Sequence, residues 1–199
     1  MQKILANVIV LAGFVAIPLI PFVVLGQSTF FPYITGKNFI FRMVVEIMLC
    51  AWIVLVAIDP AYRPKKSYLL GAFGAFFVII TLAGIFGENP SKSFWSNFER
   101  MEGIVTYLHF FAYFLVASTV LSVRGLWRPY FNFHLFAGVI MAIYGVLQWA
   151  GDLTIVQDGI RVNGTLGNAA YLGTYALFNL FIALYLMSKE SFTTTGEKV

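Results

Sequence analysis

The sequence predicts an all-α polytopic membrane bundle of about six transmembrane helices with both termini in the cytoplasm. Three observations lead there: a composition too apolar for water, six long apolar runs, and an uneven distribution of Lys and Arg.

The 199 residues are 60% hydrophobic, 18% aromatic and only 11% charged. A soluble domain carries roughly 45–50% apolar and about 25% charged residues. So few charges cannot coat a water-facing surface of this size. That excludes a soluble enzyme, a disordered chain and a nucleic-acid binder, and makes the lipid bilayer the expected surroundings. The net charge of +4 is no basic groove, because the Lys and Arg are scattered between apolar runs. Cys50 is the single cysteine and lies inside such a run, so it offers neither an internal disulfide nor a CxxC site.

A spanning helix needs about 20 mostly apolar residues. The runs near 4–25, 38–58, 67–87, 103–123, 132–150 and 169–187 qualify. They lack the strict alternation of a β-barrel strand, and in hydrocarbon a helix satisfies its backbone polar groups internally. The first run exceeds the apolar core of a signal peptide and no clear cleavage site follows, so it reads as an uncleaved span. Gly71, Gly74 and Ala75 are expected to let the third helix pack closely on a neighbour. The runs form one transmembrane domain over 1–187, and 188–199 reads as a polar cytoplasmic tail.

Orientation follows from the loop cations. With the N-terminus inside, the inner side holds eight: Lys3, Arg63, Lys65, Lys66, Arg124, Arg128, Lys189 and Lys198. The outer side holds four, Lys37, Lys92, Arg100 and Arg161, while Arg42 lies within a run. The outer loops are then 26–37, 88–102 and 151–168.

Ionisable residues inside a span raise a functional hypothesis by default. Arg42 and Glu46 are four apart on one helix face. They read either as a structural ion pair, each holding the other, or as part of a site. His109 reads as a hydrogen-bonded packing residue, and His134 as an interfacial one. The two histidines show no HxxxH or HExxH spacing, so neither a metal nor a cofactor is expected. Arg42, Glu46, His109 and Gln148 all fall in the outer half of the membrane, where a site is to be sought.

Two outer loops carry the remaining chemistry. In the second, the aromatics Phe94, Trp95 and Phe98 stand among Lys92, Glu99, Arg100 and Glu102. In the third, Arg161 precedes a Gly-rich turn, Asn163-Gly164-Thr165-Leu166-Gly167-Asn168. Free backbone N–H groups at a turn before a helix suit an anion, and an Arg fork matches phosphate oxygens in pairs. The turn reads equally as an ordinary Gly-containing connection. Asn163-Gly164-Thr165 is also a formal glycosylation sequon, which matters only on a eukaryotic secretory route.

The stretches Ser93-Phe94-Trp95-Ser96-Asn97-Phe98-Glu99-Arg100-Met101-Glu102-Gly103 and Arg161-Val162-Asn163-Gly164-Thr165-Leu166-Gly167-Asn168-Ala169-Ala170-Tyr171-Leu172 resemble signature loops of the O-antigen ligase and polymerase superfamily. The segment from Phe30 through Lys37 and Asn38 to Arg42 and Glu46 is similar to the same family. The resemblance implies a multi-pass glycosyltransferase of the bacterial inner membrane. Such enzymes move a glycan from undecaprenyl pyrophosphate to an acceptor on the periplasmic face: lipid A–core, a glycan or a protein. It implies that Arg100 and Arg161 bind the pyrophosphate; because each precedes a helix that starts on the outer face, the two are expected to converge on one phosphate patch. Arg42, Glu46, Glu99, Asn163, Gly164, Gly167 and Asn168 would support them. Family members are longer and carry a second-half loop with a catalytic His that this chain does not match. The chain is therefore expected to be an N-terminal, carrier-binding half with its catalytic residues unassigned. The alternative is a non-catalytic membrane protein: a scaffold, a lipid-pyrophosphate binder or a small transporter subunit.

Overall fold

The computed structural model describes residues 1–26, 31–97, 100–155 and 160–196. Among these every regular element is helical, and six segments are long and apolar enough to cross a membrane. The first comprises α1 (Gln2–Val10), a π-helical stretch Leu11–Ala16, α2 (Ile17–Leu19) and a 3-10 turn Ile20–Phe22. Its ladder changes pitch because Pro18 and Pro21 have no N–H to donate to the preceding turn. The others are α3 (Thr35–Ile58), α4 (Tyr68–Ile85), α6 (Ile104–Arg124), α7 (Trp127–Ala150) and the first part of α8 (Ala169–Gly196). A short helix, α5 (Pro90–Trp95), lies in the loop before α6.

Helix ends follow local chemistry. The Ser67 hydroxyl accepts from Leu70 N (3.0 Å) and Asn89 Oδ1 from Lys92 N (3.1 Å), each capping a helix start. Asp59, extended before Pro60, ends α3. Gly125 and Gly151 end α6 and α7 with φ of +64° and +89°, where a side chain would be strained.

Two boundaries differ from the sequence expectation. Helix α7 begins at Trp127 rather than near 132, since Pro129 is tolerated in a first helical turn. Helix α8 does not end near 187 but runs on to Gly196, through most of the polar stretch 188–199. Residues 197–199 lie outside the described residues.

Where the sequence reads as one domain, the chain divides into two compact units, Met1–Gly125 and Leu126–Val199. In the first, α1 and α6 pack on α3, and α4 packs on α6. Ala6, Ile9, Met48, Leu55, Val116 and Val120 form its core, with Ile20, Phe41 and Val45 as a smaller cluster toward the start of α3. Rings Phe73–Phe114 and Phe77–Phe111, with centroids 5.0 and 4.9 Å apart, join α4 to α6. The second unit is a hairpin of α7 and α8, joined by a loop that contains a 3-10 turn Gly164–Leu166.

The close-packing glycines are not those expected. A Cβ on Gly71 or Gly74 would meet nothing within 4 Å, so neither brings α4 close to a neighbour. Close approaches occur at Gly84, against Ile104, and at Gly138, where Asn179 lies on the α7 backbone. The reason is which face packs: α4 meets α6 through its phenylalanines, one of which, Phe77, is buried.

Candidate functional site

In the first unit, the start of α3, the start of α6 and the segment between α5 and α6 form one polar cluster. The segment is tightly turned. Ser96 and Met101 hold left-handed φ of +59° and +53°, uncommon for side-chain-bearing residues. A Cβ on Gly103 would collide with the Phe94 carbonyl, so the segment doubles back only with glycine there.

Three side chains hold this turn by its backbone. Asn38 Nδ2 donates to Arg100 O (2.9 Å). The Arg42 guanidinium donates to Met101 O and to the Thr106 hydroxyl. The Thr106 hydroxyl itself donates to Met101 O (2.8 Å). Met101 N donates back to Asn97 O (2.8 Å), closing the turn.

Pinned backbone leaves the Arg100 side chain outside. It is exposed, and its guanidinium lies over the Phe31 ring, 5.1 Å from the centroid. Among the described residues that guanidinium makes no hydrogen bond or ion pair. Arg42 is buried, and its Nε finds no hydrogen-bond acceptor. Two cations thus stand at one turn, one buried and one exposed, with no carboxylate among the described residues bonded to either. Glu99 lies outside the described residues.

No direct ion pair joins Glu46 to Arg42 among the described residues. Glu46 Oε1 meets His109 Nε2 at 3.2 Å, while His109 Nδ1–H donates to Val105 O (2.7 Å). A carbonyl only accepts, so Nδ1 carries the proton of that bond. The expected pairing of Arg42 with Glu46 is corrected because α6 offers each a partner across the interface. The buried guanidinium takes a carbonyl and a hydroxyl, and the carboxyl, on the exposed side of α3, takes the imidazole.

In the second unit, Arg161 is exposed and makes no hydrogen bond or ion pair among the described residues. The turn after it is packed inward. Asn163, Gly164, Thr165 and Gly167 are buried. Gln148, only 3% exposed, is the post on which the turn is built. Its Oε1 accepts from Asn163 N (3.3 Å) and Gly164 N (2.8 Å). Its Nε2 donates to Thr154 O (3.1 Å) and Asn163 Oδ1 (3.1 Å).

Two of the amides expected to stand open to an anion, those of Asn163 and Gly164, are therefore occupied. Gly164 and Gly167 supply left-handed φ of +59° and +73°. Asn168 Oδ1 accepts from Ala170 N (2.8 Å) and starts α8. The burial of Asn163 also closes the formal sequon to a glycan.

The structure brings Asn38, Arg42, Thr106 and Arg100 together, and likewise Gln148 with Asn163 and Gly164. Arg100 and Arg161 belong to different units.

The chain matches no family model, no curated protein and no solved structure.

Sequence reasoning missed Thr106, and took Phe31 and Asn38 only as part of the segment similar to the family, not as the surroundings of Arg100. Thr106 carries a weak signal, a hydrogen-bonding side chain near the end of an apolar run.

Proposed function

We propose that this chain is the carrier-binding half of an O-antigen ligase-like membrane glycosyltransferase. It holds the pyrophosphate of an undecaprenyl-pyrophosphate-linked glycan at the outer face of the inner membrane while the glycan passes to an acceptor. The observation that carries the reading is the cation pair at the α5–α6 turn. Arg100 is presented on a pinned backbone, its guanidinium making no hydrogen bond or ion pair among the described residues, and the buried Arg42 stands behind it with no carboxylate among the described residues bonded to it. A guanidinium in that state is ready for a bidentate anion. In the transfer reaction it would stabilise the charge that grows on the leaving pyrophosphate. The resemblance of the Arg100 loop narrows the anion to a lipid-linked pyrophosphate, and that of the Arg161 loop implies a pyrophosphate-binding role for Arg161 within its own unit.

The test is binding of undecaprenyl pyrophosphate to the purified chain in nanodiscs, read by native mass spectrometry. Arg100→Ala and Arg161→Ala each weaken binding at least about tenfold, the scale of one lost charge-assisted hydrogen bond. Arg100→Lys keeps the charge without the fork and falls between. A double alanine variant that binds as the parent does would overturn the reading. Glycan transfer to an added acceptor separates a transferase from a pyrophosphate binder.

A further inference from the structure

The other end of the hairpin holds a feature the proposed reaction does not use. Trp127 and Phe131 of α7 and Phe178, Phe181, Ile182 and Tyr185 of α8 line an open groove of about 480 Å³. Five of the six are aromatic. Phe178, Phe181 and Tyr185 leave about half or more of their surface uncovered, so the groove is a wall awaiting an apolar occupant.

Its mouth is charged. Lys189 Nζ stands 5.9 Å from the Tyr185 ring, one turn beyond the groove on α8. Arg128, next to Trp127, is exposed on the first turn of α7. Phe131 and Tyr185 touch with ring centroids 6.0 Å apart, so the start of α7 and the stretch of α8 leading to Lys189 are neighbours.

From the groove and its mouth together, we infer that this end of the α7–α8 hairpin is a binding site for an anionic phospholipid. One acyl chain lies in the aromatic groove and the phosphate meets Arg128 and Lys189. The charge complementarity picks the occupant. A zwitterionic lipid fills the groove equally well but gains little from two cations, whereas basic residues at a membrane interface each favour an anionic headgroup. Trp and Tyr at the groove end are the side chains that suit headgroup depth. The Lys/Arg count assigns this end to the cytoplasmic side. The site is independent of the glycan-transfer reading.

Trp127 reports on its own groove. In a variant with Trp52, Trp95 and Trp149 changed to Phe, the chain is placed in vesicles carrying bromine on the lipid acyl chains. Brominated phosphatidylglycerol quenches Trp127 at about tenfold lower mole fraction than brominated phosphatidylcholine. Arg128→Gln with Lys189→Gln removes the preference. Equal quenching by the two lipids, or a preference that survives the double substitution, overturns the site. Trp52 donates to Tyr62 O and to Thr119, so its replacement risks the fold. Native mass spectrometry of the chain with its tryptophans intact, in an equimolar mixture of the two lipids, separates the same outcomes. Phosphatidylglycerol adducts exceed phosphatidylcholine adducts and fall to parity in the double variant; parity in the parent overturns the inference.

Discussion

Arg42 and Gln148 share a design. Each is a polar side chain within an apolar helix, buried, and hydrogen-bonded to the backbone of a loop. Away from water, an unpaired polar group costs more than a made hydrogen bond returns. The helix therefore anchors the loop, and the loop satisfies the helix. Gln148 makes four bonds, so its removal is the sharper experiment. Gln148→Leu keeps the bulk and leaves the Asn163 and Gly164 amides without their acceptor. A loss of about 1–3 kcal/mol is expected, the cost of stranding a buried polar group, seen as a lower melting temperature in detergent. Proteolysis between 151 and 163 should quicken as well. Unchanged melting and unchanged proteolysis would mean that the turn holds itself.

Among the elements, glycine position decides what a helix joint tolerates. At Gly103, just before α6, a Cβ would fall on the Phe94 carbonyl and the Trp95 amide, and a backbone wall cannot swing aside as a side chain can. Gly103→Ala therefore forces the turn open and moves Arg100 with it. A destabilisation of about 1–3 kcal/mol is expected, the usual cost of overpacking. Gly74→Ala, in the middle of α4, meets nothing within 4 Å and trades a poor helix former for the best one. It should leave the melting temperature unchanged or raise it slightly. The pair of variants in one detergent is the check, and a larger loss at Gly74 than at Gly103 would contradict the packing described. The same elements show what sequence could see. Ser67, Asn89, Gly125 and Gly151 are where start and stop signals belong, and each caps a helix. The π-helical stretch in the first span escaped, because prolines announce a disturbance but not which pitch absorbs it.

For the molecule as a whole, the expectation with most at stake is direction across the membrane. The eight-to-four excess of Lys and Arg predicts both termini inside and the α5–α6 turn outside. Cysteine scanning tests it in a chain whose Cys50 is replaced by Ala. A membrane-impermeant maleimide added to intact cells should label Lys92→Cys and spare Lys65→Cys. Labelling of position 65 alone would invert the orientation and put the Arg100 turn on the cytoplasmic side.

Fold class and the six spans are legible in the residues alone. They follow from quantities that are local along the chain: apolar content, a length that matches the bilayer, and the composition of the loops. Arg42, Glu46, Arg100, Gln148 and Arg161 stand out in the same way, since a polar residue in or beside an apolar run is visible without a fold. Their partners were settled by packing. The bonds of Glu46 to His109 and of Arg42 to Thr106 join residues 63 and 64 positions apart. No spacing rule reaches so far: which carbonyl or imidazole faces a buried charge depends on how two helices are rotated and slid against each other. The Gly-rich turn was decided likewise. Its residue types suited an anion and a packed connection equally, and a single buried amide, Gln148, supplied by the neighbouring helix, fixed it as a packed one.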